Sequence, residues 1–91
     1  MGLEELETAV SHTTEAITIW QQLGDELMEA NALENLGDAY HQSGDTLSAC
    51  ISYQNGINLA GNHPNDLFAQ QLRQTLQSNV AHLSKEMDGK G

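Results

Sequence analysis

The stretch from Leu33 to Tyr53, LENLGDAYHQSGDTLSACISY, most narrows what this chain can become. Before Ser43-Gly44-Asp45, the apolar residues Leu33, Leu36 and Tyr40 recur at helical steps. After it, Leu47, Cys50 and Tyr53 do the same. Two apolar stripes separated by one Gly-Asp turn predict a helical hairpin whose arms pack on each other. Gly37 sits inside the first arm, where glycine costs about 1 kcal/mol relative to alanine. A close approach by a neighbouring helix accounts for that cost, and Ala49 is the matching small residue on the second arm.

The flanks read as helices too. In the first, Leu6, Ala9, Val10, Thr13, Ala16, Ile17 and Trp20 make one stripe. Gly24 ends it and Asp25 caps the next helix, whose inner face is Met28, Ala32, Leu33, Leu36 and Tyr40. After the hairpin, Gly61 closes the third helix and Asn62-His63-Pro64 is a connector. Pro64 suits the first position of a fourth helix, with Leu67, Phe68, Leu72, Leu76, Val80 and Leu83 as its stripe. The expected helices span 4–23, 25–43, 46–60 and 65–86, and Asp88 to Gly91 reads as a frayed tail. The fold class is all-α, one domain over residues 1–91.

The hairpin resembles the tetratricopeptide repeat. That family's signature runs through a bulky residue, Leu-Gly, Tyr, a small residue and an aromatic. Here the roles fall to Leu33, Leu36-Gly37, Tyr40, Ala49 and Tyr53. The usual Trp is replaced by Leu33, the usual late Ala by Gly56, and the closing Pro is displaced to Pro64. Shifting the chain by forty residues lays Ala9 on Ala49, Ile17 on Ile57, Leu36 on Leu76 and Gly24-Asp25 on Pro64-Asn65. That period is similar to the longer repeats of kinesin light chains and many bacterial regulatory proteins. Gln77 stands where the fourth helix would carry the repeat glycine. The resemblance implies antiparallel hairpins stacked as a short right-handed solenoid of about four helices. It also implies a non-catalytic scaffold that binds proteins and needs no cofactor.

In this frame the first helix is a second arm without its own first arm. An unmatched solenoid end needs covering. The chain is then a piece of a longer solenoid, or a unit that pairs with its own copy, or a module whose end face is polar enough to stand alone. Leu6, Val10 and Trp20 are the candidates for self-association as a homodimer. Thr8, Ser11, His12, Thr13 and Thr14 favour the third explanation.

Charge sets the class of partner. Thirteen acidic residues against three basic ones give a formal net charge of -10. Arg73 is the first cation along the chain. Such a surface repels nucleic acid and anionic membranes and attracts a basic partner. One cysteine permits no intrachain disulfide and fits a reducing, cytoplasmic setting. No apolar run approaches the roughly 20 residues that span a bilayer. The N-terminus lacks the basic and apolar regions of a signal peptide.

By resemblance, the first arms line a concave groove. Asn31, Glu34, Asn35, Asp38, His41 and Gln42 would face it from the second helix. Gln71, Gln74, Thr75, Ser78 and His82 would face it from the fourth. The family's familiar clamp for a C-terminal carboxylate uses Lys and Arg. Here Glu34 and Asp38 stand instead, so the expected ligand is a basic or polar peptide. Glu34, Asp38 and His41, at steps of four and three, share a helical face. They form the alternative reading, a metal-dependent site. Cys50 reads as packing, Trp20 as core, and His12 and His63 as surface residues. No triad order or phosphate loop points to catalysis.

Overall fold

A computed structural model of the chain describes residues 2–88. The expected tail lies largely outside them: Asp88 ends the last helix, and residues 89–91 are beyond the described part.

Each turn is made by local chemistry. Helix α1, Leu3–Leu23, stops at Gly24, whose φ of 71° is left-handed. Beyond it the Asp25 N–H donates to Trp20 O at 3.0 Å. The Asp25 carboxylate then accepts from the Met28 N–H at 3.1 Å and starts α2, Glu26–Gln42. The same device recurs at Gly44, φ 88°, where Asp45 accepts from the Ser48 N–H and opens α3, Thr46–Gly61. Aspartate at this position satisfies helix N–H groups that have no partner within the helix.

The fourth start differs from expectation. Helix α4 is Leu67–Asp88 and begins two residues later than the sequence pattern placed it. Asp66 is its cap, accepting from the Ala69 N–H at 3.0 Å. Pro64 is therefore not helical. It lies in a turn closed by the Asp66 N–H donating to His63 O at 3.2 Å. Proline suits the second position of such a turn, and an aspartate two residues on outcompetes it for starting the helix.

Helix α2 packs against α1 and α3, α3 packs against α4, and α2 also touches α4. Among the described residues there is no strand. The Cα envelope measures 38 × 28 × 16 Å. Two helix layers need about 13–15 Å between their outermost Cα atoms, so the molecule is a slab two helices thick. Being central, α2 is buried on more than one side, through Ala30, Ala32, Leu33, Leu36, Gly37 and Ala39.

Two glycines mark the closest approaches. A Cβ added to Gly37 would fall 2.6 Å from Cδ1 and 2.9 Å from Cζ of Tyr53, so the ring lies flush on the α2 backbone. A Cβ on Gly56 would fall 2.9 Å from Leu76 Cδ1 and 3.3 Å from Ala30 O. Gly56 thus lies at the point where α2, α3 and α4 meet.

Several stripe residues lie elsewhere than expected. Leu47 is 67% exposed, and the inner face of α3 is Ala49, Ser52, Tyr53, Gly56 and Ala60. Leu47 stands two residues before Ala49, about 200° round the helix. Leu67 and Phe68 are also exposed, since Ala69 takes the inward position of the first turn of α4. Met28 is only half-buried, and Ala30 is fully buried in its place. On α1, the Thr13 and Thr14 hydroxyls donate to the carbonyls of Ala9 and Val10 at 2.7 Å, so part of its hydroxyl-rich face is satisfied by its own backbone.

Candidate functional site

The sides of α2 and α4 that flank their contact leave a cleft of about 320 Å³. It is lined by Asp38 and His41 from α2, Tyr53 from α3, and Asn79, His82, Leu83 and Glu86 from α4. Helical spacing explains the set. Asp38 and His41 are three apart, as are Asn79 and His82, and Glu86 follows His82 by four. Leu83 and the Tyr53 ring, 1% and 2% exposed, form the apolar floor.

Polar contacts fix the walls. The Tyr53 hydroxyl donates to Asp38 Oδ1 in a short hydrogen bond. Burial, and then the adjoining Asp38 carboxylate, hold the phenol well above its ordinary range, so it stays a donor. His41 Nε2 lies 2.9 and 3.1 Å from the two oxygens of Glu86, bridging the cleft. Both partners are about half exposed, which keeps the bridge in contact with water. Beside the cleft, Glu34 has its carboxyl raised by burial and by the negative charge of Asp38. A hydrogen bond from Asn79 opposes that rise.

Among the described residues, neither Lys nor Arg lines the cleft. Lys85 faces a separate shallow depression with Ser78, Ala81 and His82. Among the described residues, the only groups in the cleft that could give Asp38 and Glu86 a cationic partner are the imidazoles of His41 and His82.

Of the residues expected to form a groove, the cleft gathers Asp38, His41 and His82. Glu34 adjoins it through Asn79. Gln74 and Ser78 are exposed and outside the cleft lining, Ser78 one turn before His82 in the neighbouring depression. Asn35, Gln42, Gln71 and Thr75 are exposed and Asn31 half-exposed, all outside the cleft lining. Sequence reasoning missed Tyr53, Asn79 and Glu86 as site residues. Tyr53 had been assigned to packing, and its ring does pack while its hydroxyl reaches the cleft. Asn79 and Glu86 share the helical face of His82, a signal the stripe of leucines obscured.

The alternative metal set does not assemble. Asp38 is taken by Tyr53 and His41 by Glu86. Among the described residues, no three His, Cys, Asp or Glu side chains come together as a metal-holding group.

The candidate self-association residues are used within the chain. Leu6 is 7% exposed, and Val10 and Trp20 pack on a core of Ile17, Ala32, Leu33 and Leu36. The exposed apolar residues of α1 are instead Leu3, Ile19 and Leu23. His63 is not merely a surface residue: its Nε2 lies 2.9 Å from Glu26 Oε1 and ties the last connector to the start of α2. Cys50 is half-buried against the core. Among the described residues, no helix is long and apolar enough to cross a membrane.

No protein-family model, curated protein or solved structure matches this chain.

Proposed function

We propose that the chain is a tetratricopeptide-like helical module that catalyses nothing and holds a basic segment of a protein partner in the α2–α4 cleft. One observation carries the reading: Asp38 and Glu86 line a cleft that no lysine or arginine among the described residues lines, on a chain of net charge -10. Charge complementarity of this kind steers encounter and selects the sign of the partner. The repeat reading is supported by the Gly37–Tyr53 contact and by α2 meeting α4 across α3. Function remains a property of the site and not of the fold class.

The test is affinity capture at low salt, followed by charge reversal with Glu34→Lys plus Glu86→Lys. Asp38 is left intact because the buried tyrosine donates to it. The expected result is a captured partner rich in Lys or Arg that is lost on charge reversal and at raised salt. A partner held equally well by the reversed protein would remove the acidic cleft from consideration.

A second reading is self-association. It is favoured by Ile19 and Leu23 on one side of α1, 52% and 68% exposed and one helical turn apart. Light scattering over a range of concentrations checks it, and a constant monomer mass sinks it.

A further inference from the structure

The cleft contains its own competitor for a cationic ligand. His41 spans it from α2, with Nε2 2.9 Å from one Glu86 oxygen and 3.1 Å from the other. His82 joins the same lining from α4. While both imidazoles are neutral, the lining carries two negative charges, on Asp38 and Glu86. Once both are protonated, those charges are cancelled from within.

We propose that the α2–α4 cleft is a proton-gated slot for an arginine or lysine side chain of the partner, in which protonated His41 competes with that side chain for the Glu86 carboxylate. This rests on the reading of the cleft as a basic-segment site and adds how that site is switched. While His41 is neutral it offers Glu86 one N–H, and the carboxylate keeps its charge. An incoming guanidinium presents two parallel N–H groups and a full positive charge, so it displaces the neutral imidazole. At lower pH the imidazolium is itself a cation already seated on Glu86. A ligand cation must then break an internal ion pair and enter a lining with no net charge.

The groups around the two imidazoles all bear on this balance. From α2 they are Asp38 and, nearby, Glu34. From α3 comes the Tyr53 hydroxyl, which stays protonated and so adds no charge. From α4 come Glu86 and, beside His82 on its outer side, Lys85. Among the described residues, no further cation lines the cleft to take the place of the imidazoles as the internal partner of the carboxylates. Histidine is the side chain whose charge changes in the physiological range.

A binding step that requires a neutral imidazole weakens as the pH falls through the range in which histidine takes up its proton, so pH ~7.5 is compared with pH ~5.5. The probe is a fluorescein-labelled hexa-arginine peptide, read by fluorescence anisotropy at constant ionic strength. The expected result is affinity at least about tenfold weaker at the lower pH. His41→Gln with His82→Gln, which keep polar groups but take no proton, should bind equally at both values. His12→Gln, remote from the cleft, should keep the wild-type pH dependence. Circular dichroism at both pH values establishes that every variant is folded, and His41→Gln alone serves as a second, milder variant. Wild-type binding that is tight but independent of pH overturns the gate and leaves the basic-segment reading standing. A double variant with undiminished pH dependence also overturns the gate, by placing the proton elsewhere. No binding at either pH overturns the gate together with the reading beneath it.

Discussion

Replacing Gly37 with alanine tests the packing that holds the floor of the cleft. In an open helix the change would stabilise by about 1 kcal/mol. Here the new methyl carbon would lie 2.6 Å from Cδ1 and 2.9 Å from Cζ of Tyr53. Carbon atoms sit comfortably at about 3.5–4.0 Å, so the ring would have to retreat by roughly 1 Å. It has little room, because Tyr53 is 2% exposed and its hydroxyl is tied to Asp38. Overpacking of this kind costs about 1–3 kcal/mol, and loosening the Asp38 bond adds up to about 1 kcal/mol. Set against the helix gain, the net loss is about 0–3 kcal/mol. For a domain of this size that lowers Tm by up to about 24 °C. Thermal and urea unfolding followed by far-ultraviolet circular dichroism give the value. The same substitution in a Tyr53→Leu background removes the ring and should change sign, stabilising by up to about 1 kcal/mol. A Gly37→Ala protein more stable than its parent by the open-helix gain of about 1 kcal/mol would refute the argument that glycine is there to admit the ring.

Three other outcomes follow from the same structure. Tyr53→Phe should cost about 1 kcal/mol in urea unfolding, since Asp38 loses its buried donor but keeps access to water. In the wild type the fold favours the protonated phenol, so this contribution is present below the ordinary phenol value of about 10. It is lost as alkaline pH titrates the unfolded chain first; a wild type and Tyr53→Phe variant with parallel stability curves above that value would contradict it. Glu34→Gln should raise Tm at neutral pH, where the raised Glu34 carboxyl is ionised at a cost to the fold. The advantage should close as acid protonates Glu34 in the folded protein, so a difference that stays constant from neutral to acid pH would exclude that cause. Asp66→Ala should remove the α4 cap at a cost of about 1 kcal/mol, whereas Asn65→Ala should be close to neutral; the reverse order in urea midpoints would restore the earlier helix start.

Local chemistry was legible in the chain before any packing was known. The Gly24-Asp25 and Gly44-Asp45 pairs end one helix and start the next because left-handed backbone and side-chain capping are properties of those residues alone. Gly37 also announced a close approach, since its helical cost needs a reason. Likewise the charge balance, with its bearing on the sign of a partner, needs no structure. The local signals failed where two of them competed, as at Pro64 and Asp66. They failed again where apolar residues outnumbered the inward positions, as at Leu47, Leu67 and Phe68.

What lies across from what was decided only by the tertiary structure. Asp38 and Glu86 are far apart in sequence, and no periodicity within one helix relates them. They meet because α2 lies beside α4, an arrangement set by the Tyr53 ring on Gly37 and by Leu76 against Gly56. The hairpin from Leu33 to Tyr53 thereby gains a second role. Its buried tyrosine holds the helices together through its ring and supports an acidic cleft through its hydroxyl. A helix pattern reports which side of a residue is apolar; which polar groups share a wall depends on the crossing of helices, and that is fixed by packing between distant parts of the chain.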